Sequence, residues 1–154
     1  MQQLITGIHH VTAIVSDFQK NIDFYAGILV LRLVKKTVNF DAPNVYHFYY
    51  GDEAGTPGSI VTFFPDQGLI RGRQGKGMLN TTTFSVSAVS ISYRMERLTK
   101  FGVAFKPPAE RFEGEAVIYF EDNDGMGIEL VFNNKIYGPG VPMGIYPQTM
   151  HKRI

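Results

Sequence analysis

The side chains best suited to chemistry near the start of the sequence are two adjacent histidines, His9 and His10, in the stretch GIHHVTAIVSD. A neutral imidazole can bind a divalent metal or transfer a proton near neutral pH. The surrounding residues alternate as in a β-strand, where neighbouring side chains point to opposite faces of the sheet. The alternation therefore predicts one histidine on each face.

Several other kinds of site are excluded by the sequence. The chain has no cysteine, which excludes disulfides, thiolate metal sites and cysteine nucleophiles. No Gly-x-Ser-x-Gly serine elbow occurs, and no Gly-x-Gly-x-x-Gly follows a predicted strand. The segment RGRQGKG lacks the Lys-Ser/Thr and the following helix of a phosphate loop, so it is predicted to be a flexible connector.

The composition is typical of a single globular domain that binds small molecules. The 154 residues are 44% hydrophobic and 19% charged, with a net charge of +1, so neither nucleic acid nor a membrane is expected as a partner. Twelve phenylalanines and eight tyrosines suit a small aromatic or planar substrate. No membrane span or signal peptide is recognisable, and the absence of cysteine agrees with a reducing compartment, so the predicted location is cytoplasmic.

The elements that position the histidines can be predicted from periodicity and turn residues. Residues 7–15 alternate as a strand, and Asp17 is a candidate N-cap for the helix that follows. The apolar stripe of this helix has spacings of three and four, at Phe18, Ile22, Tyr25 and Leu29. Three further strands are predicted, at 30–40, 45–52 and 59–64.

The same order of elements then repeats. A strand at 81–87 precedes a helix capped by Ser90 and closed by Gly102, and strands follow at 103–112, 115–122 and 128–133. This predicts an α+β fold of two βαβββ units whose mixed, mainly antiparallel sheets curve around a cleft. The predicted boundaries are about 6–65 and 80–134 for the units, 66–79 for the linker, and 135–154 for an extended C-terminal arm.

A doubled βαβββ unit with a histidine in its first strand and IELVF in its last resembles the vicinal-oxygen-chelate superfamily. That group includes glyoxalase I, bleomycin- and fosfomycin-resistance proteins, and extradiol ring-cleaving dioxygenases. The segments DFYAGILVLRLVKKTVNFDAP, YHFYYGDEAGTPGSIVTFFP, GRQGKG and ERF resemble more closely the N-terminal half of the hydroquinone-type ring-cleaving dioxygenases. One departure is Val30, where that family usually has glycine.

This resemblance implies that His10 binds ferrous iron and that His9 and Thr12 lie near the substrate. Two histidines and one carboxylate leave positions open on Fe(II) for a dihydroxylated ring and dioxygen. Manganese, zinc and nickel are the alternative divalent metals. With His10 as the ligand, we expect its side chain to point into a concave sheet face and that of His9 to point away.

The superfamily places metal ligands at four equivalent positions, in the first and last strands of two paired units. Here the resemblance puts His10 and Thr81, or a neighbour of Thr81, in the first strands, and Thr62 and Glu129 in the last. His10 and Glu129 are therefore the candidate metal ligands. In the full-length dioxygenases, however, the counterpart of Glu129 is not the iron ligand, and a C-terminal half supplies the remaining histidine and glutamate. His47 lies outside these positions and is predicted to be structural.

Three functions are compatible with this pattern. The first is an Fe(II)-dependent ring-cleaving dioxygenase for a hydroquinone- or catechol-type aromatic, of which the chain resembles the N-terminal half. The second is a non-catalytic binding or resistance protein of the bleomycin-resistance type, and the third is a glyoxalase-type metal-dependent isomerase. In the longer relatives the first unit pairs with the fourth, so here its sheet would be left partly uncovered. Either the second unit folds back over it or a second copy of the chain docks, and the second outcome is favoured. A homodimer is therefore predicted.

Overall fold

Two β-sheets form the framework of the computed structural model, which describes residues 7–68, 70–112 and 115–132 and the backbone of 144–146. The strands of the first sheet run in the order β1-β4-β3-β2, and only β1 and β4 are parallel. Their bounds are β1 (His10–Val15), β2 (Arg32–Val38), β3 (Tyr46–Gly51) and β4 (Ile60–Pro65).

The second sheet repeats this arrangement and adds one strand. Its order is β6-β7-β8-β5-β9, with β5 parallel to β8 and the other pairs antiparallel. The bounds are β5 (Thr81–Val86), β6 (Ala109–Phe112), β7 (Glu115–Glu121), β8 (Gly127–Phe132) and β9 (Gly144–Tyr146). The α+β class and the doubled order of one strand, one helix and three strands are confirmed. Of the predicted C-terminal arm, residues 135–143 and 147–154 lie outside the described residues.

The first helix begins where the sequence predicts. In α1 (Phe18–Ile22), the Asp17 carboxylate accepts a hydrogen bond from the amide of Lys20 at 2.9 Å. The chain then widens into a π-helical segment, Asp23–Ile28, which the apolar spacing did not predict. Tyr25 of this segment is buried, as the stripe required.

The second unit departs from prediction at two places. A 3₁₀ turn, Ala88–Ser90, precedes α2 (Ile91–Lys100), and the Ser90 hydroxyl donates to the carbonyl of Ser87 instead of capping the helix. The strand expected at 103–112 is present only as β6, with one isolated bridge from Phe105 to Phe120. Pro107 and Pro108 explain the gap, because proline cannot donate to a strand ladder.

One hydrophobic core joins the two units. Phe24 and Tyr25 contact Phe120 of the second sheet and Phe63 of the first, at ring-centroid distances of 6.3 Å and 4.4 Å respectively. The buried Tyr25 hydroxyl also donates to Asp122 in the β7–β8 turn at 2.8 Å. None of the helices in the described ranges is long and apolar enough to span a membrane.

Candidate functional site

The first sheet has one face in the core and one face open. Along β1, Val11, Ala13 and Val15 pack against the core, while His10 and Thr12 are exposed on the opposite face. The ladder register places further side chains on this open face beside them. They are Thr62 and Phe64 of β4, His47 and Tyr49 of β3, and Lys35 of β2. These residues define what we call the open face.

The two histidines contact each other. Their Nδ1 atoms lie 3.0 Å apart and their rings meet edge to face at 87°. His9 precedes the first residue of β1, and its carbonyl accepts a hydrogen bond from the amide of Gly58 at 2.8 Å. The expectation that His9 points away from His10 is wrong, because strict alternation begins only inside the strand.

Thr12, predicted to lie near a substrate, is hydrogen-bonded on the open face. Its hydroxyl lies 2.9 Å from that of Thr62, which is fully buried. Thr62 occupies the last-strand ligand position. In this chain, the side chain at that position forms a hydrogen bond with Thr12. The exposed Thr12 therefore has a fixed hydroxyl beside His10.

His47 lies on the open face too, which the sequence interpretation missed. Its ring stacks between Tyr49 and Phe64, at centroid distances of 4.2 Å and 4.0 Å, and its Nδ1 is 2.9 Å from the Tyr49 hydroxyl. Burial lowers the pKa of His47, and the nearby charges of His10 and Lys35 lower it further. The alternation in YHFYYGD put His47 and Tyr49 on one face, but only the pairing of β3 with β4 shows which face that is.

Glu129, the other candidate ligand, lies in β8 of the second sheet. One of its oxygens, Oε2, accepts a hydrogen bond from the Thr83 hydroxyl at 3.0 Å and pairs with the Arg111 guanidinium at 3.0 Å. This carboxylate is therefore already neutralised. Thr81, in the other first-strand position, donates its hydroxyl to Asn80 at 3.3 Å.

These donors do not assemble a complete metal site in one chain. Among the residues that the structure describes, no group of three His, Cys, Asp or Glu side chains could hold a metal ion. His10 fits as one exposed imidazole ligand, whereas Glu129 is engaged by Arg111 in the other sheet. Non-haem iron sites with open positions use three protein ligands.

One large cavity lies away from these residues. Its volume is about 850 Å³, and it lies between the 66–80 connection and the β7–β8 turn, with Ile14 at its edge and His10 outside it. Its carboxylates Asp122 and Asp124 already accept hydrogen bonds from backbone amides. The open face, not this cavity, is therefore the candidate site.

Comparison with known proteins identifies a family model and several relatives that the chain matches. The model of the Glyoxalase/Bleomycin resistance protein/Dioxygenase superfamily matches residues 7–130. The chain is 47% identical over 131 residues to the "Putative ring-cleaving dioxygenase MhqO" of Bacillus subtilis. This alignment covers 85% of this chain and 41% of that protein. It is 34% identical over 134 residues to the chlorohydroquinone/hydroquinone 1,2-dioxygenase of Sphingobium indicum, again over 41% of the relative. The chain thus spans about two fifths of the length of these relatives.

Two further matches differ in how much of the other protein they cover. A solved structure described as a dioxygenase from Bacillus subtilis superposes with a TM-score of 0.77 at 44% identity, over 90% of this chain and 46% of that one. The fosfomycin resistance protein FosX of Listeria innocua is 30% identical over 133 residues, and there the match covers 90% of the relative. The same fold therefore occurs both in proteins of this size and within chains twice as long.

Proposed function

Because the chain belongs to the glyoxalase/bleomycin resistance protein/dioxygenase superfamily, we propose that it works as a ring-cleaving dioxygenase unit for a hydroquinone- or catechol-type aromatic. The observation that carries the proposal is His10, an exposed imidazole on the open face of a chain 47% identical to a protein named as a ring-cleaving dioxygenase. His9 and Thr12, beside it, are the proposed substrate-side residues. We place this activity in the cytoplasm, where ferrous iron is kept reduced.

In this proposal, His10 is a ligand to ferrous iron and Glu129 is the second candidate ligand. The Arg111 guanidinium, paired with Oε2 of Glu129, would compete with a cation for the charge of this carboxylate. One imidazole cannot hold Fe(II) at a working site. The remaining ligands must therefore come from another chain or from residues beyond those described.

A second copy of the chain is the partner we propose. The open face carries Lys35 and His10 and no carboxylate, whereas the matching face of the second sheet carries Glu121 and Glu129. A two-fold axis would bring the first sheet of each copy onto the second sheet of the other. Because Glu129 is already paired with Arg111, Lys35 of each copy would then face Glu121 of the other, and His10 of one copy would approach Glu129 of its partner.

A binding protein without catalysis is the second candidate function. It is favoured by the lack of a three-ligand cluster among the described residues. In this alternative, the aromatic side chains of the open face enclose a planar ligand without a metal.

Metal content tests the two functions against each other. We would purify the chain without oxygen, reconstitute it with Fe(II), and measure iron by elemental analysis. About one iron per one or two chains is expected for the dioxygenase unit. His10→Ala should lose that iron while keeping its circular dichroism. No iron under any reconstitution would support the binding protein, and iron retained by His10→Ala would refute the proposed site.

A further inference from the structure

One buried nitrogen of His47 has no hydrogen-bond partner among the described residues. The ring lies between those of Tyr49 and Phe64, and this nitrogen, Nε2, is buried there. A buried polar atom without a partner destabilises the fold, and a phenylalanine ring would fill the same space without that cost. Packing alone therefore does not explain a histidine at this position, and the contact made by its other nitrogen, Nδ1, does.

Nδ1 of His47 holds the Tyr49 hydroxyl. The two atoms are 2.9 Å apart, within hydrogen-bonding distance. Burial and the charges of His10 and Lys35 lower the pKa of His47, so its imidazole is neutral near pH 7. A neutral imidazole can be the donor or the acceptor of this bond, and in both cases the Tyr49 hydroxyl keeps hydrogen-bonding capacity for a second partner.

Tyr49 lies in the same row of the open face as Thr12, a proposed substrate-side residue. The ladder pairs Thr12 with Thr62 and Thr62 with Tyr49, so the row crosses β1, β4 and β3. Two strand spacings, about 10 Å, separate the backbones at the ends of the row. All three side chains carry a hydroxyl group, and the rings of His47 and Phe64 lie beside them. This surface offers both aromatic contact and hydroxyl groups to a ligand.

We propose that Tyr49 is a specificity-determining residue: its hydroxyl, held by His47, forms a hydrogen bond with a hydroxyl group of an aromatic ligand on the open face. His47 is the positioning residue of this pair and acts through Tyr49. The inference rests on the proposed function, because it takes the open face as the site of the aromatic substrate. It requires no metal, since both residues act through hydrogen bonds.

Binding of hydroquinone to the metal-free chain tests the role of Tyr49. The full ¹⁵N-labelled chain would be titrated without oxygen with hydroquinone and, separately, with 1,4-dimethylbenzene, which has nearly the same shape and no hydroxyl. Dissociation constants would be measured from the nuclear magnetic resonance shifts of the open-face amides. We expect Tyr49→Phe to bind hydroquinone about fivefold more weakly and 1,4-dimethylbenzene equally well, since only the hydroxyl is lost.

Tyr46→Phe is the matched control. Tyr46 belongs to the same strand but has the opposite parity to Tyr49, so its side chain lies on the other face of the sheet. This variant should bind both ligands as the unchanged chain does. An equal loss of affinity for both ligands in Tyr49→Phe, or equal losses in the two variants, would refute the role of the Tyr49 hydroxyl.

His47→Phe separates positioning from packing. The variant should be more stable than the unchanged chain, because it removes the unpaired nitrogen, and yet bind hydroquinone more weakly, because Tyr49 loses its partner. The loss of affinity should not add to that of Tyr49→Phe in the double variant, since both changes act on one hydrogen-bonded pair. A purely structural histidine would change stability and leave the affinity for hydroquinone unchanged, which would overturn the inference.

The outcomes separate this inference from the proposed function. If Tyr49→Phe binds hydroquinone as tightly as the unchanged chain, the inference is refuted, whereas iron bound through His10 would still support the dioxygenase unit. If hydroquinone binding depends on Tyr49 in a chain that takes up no iron, the inference stands and the dioxygenase is refuted. If the unchanged chain binds no hydroquinone, the inference is refuted together with the proposed substrate class.

Discussion

The His47 ring lies on the open face, and one of its nitrogens lowers the stability of the fold. Its Nε2 is buried and has no hydrogen-bond partner among the described residues. Leaving a buried polar atom unpaired costs about 1–3 kcal/mol. His47→Phe keeps a ring between Tyr49 and Phe64 and removes both nitrogens. We therefore expect its free energy of unfolding at pH 8, from urea denaturation, to be about 1 kcal/mol higher; a lower value would contradict this account.

The same variant should change how stability depends on pH. Burial, with the charges of His10 and Lys35, lowers the pKa of His47 below its ordinary 6.5, so the unfolded chain takes up this proton more readily than the folded chain. The stability contributed by neutral His47 is present above about pH 6.5 and is lost as pH falls below it. Between pH 7 and pH 5, the unchanged chain should therefore lose more stability than His47→Phe. Tyr49→Phe, which keeps the histidine, should retain the steep slope.

The residues of the site could be predicted from the sequence only where a local pattern was sufficient to identify them. The histidine pair in GIHHVTAIVSD is visible in the sequence, and His10 and Thr12 do share the open face. The contact between His9 and His10 was not predictable, because it depends on where the strand begins. The ion pair that engages Glu129 was not predictable either, since Arg111 lies in β6, two strands away from β8 in the sheet.

At the scale of elements, the joint between the first helix and β2 is strained at Val30. Its φ is +60°, the only positive φ of a non-glycine residue in the described part of the chain. The left-handed region costs an L-residue about 1–2 kcal/mol, and more for a β-branched side chain. The way the helix ends explains this conformation, because the amide of Leu31 donates a hydrogen bond to the carbonyl of Tyr25 at 2.9 Å.

Val30→Gly should therefore stabilise the protein. Relief of the strain exceeds the extra entropy of glycine in the unfolded chain, so we expect a gain of about 1 kcal/mol in the free energy of unfolding. Val30 is half exposed, so little packing is lost. Val30→Ala is the control, and it should gain less because alanine keeps the Cβ. A glycine variant less stable than the unchanged chain would show that Val30 contributes packing instead.

Element types were predictable and element details were not. The apolar stripe identified the first helix and Asp17 its start, because both signals are local. The segment Asp23–Ile28 is a π-helix, whose wider turns the apolar spacing of three and four does not indicate. Val30 stands where the family that the sequence resembles usually has glycine, and its positive φ gives the reason why glycine suits that position.

At the scale of the whole molecule, the doubled order of elements was sufficient to predict the fold class. Each unit places its first and last strands next to each other in parallel, β1 with β4 and β5 with β8. What the order could not predict is how the units share their core. That depends on long-range contacts, such as Tyr25 with Phe63 and Phe24 with Phe120.

The open face of the first sheet makes assembly the prediction at this scale. Ile14 is 59% exposed there, beside the exposed His10 and Thr12, and the second unit does not cover them in the described residues. Sedimentation equilibrium at micromolar concentration should give twice the 17.3 kDa of one chain. A mass of one chain at every concentration would refute the dimer.

Charge reversal then tests which face is buried in that dimer. Lys35, whose ammonium lies 5.4 Å from the centre of the Tyr49 ring, belongs to the open face. Lys35→Glu would place a carboxylate opposite Glu121 and Glu129 of the partner, and like charges facing each other weaken an interface. We expect a dimer dissociation constant about tenfold higher for Lys35→Glu. Lys100→Glu, at the exposed end of α2, should dimerise normally, because that position lies outside both faces. If the two variants behave alike, the copies meet through another surface, and His10 of one chain does not approach Glu129 of the other.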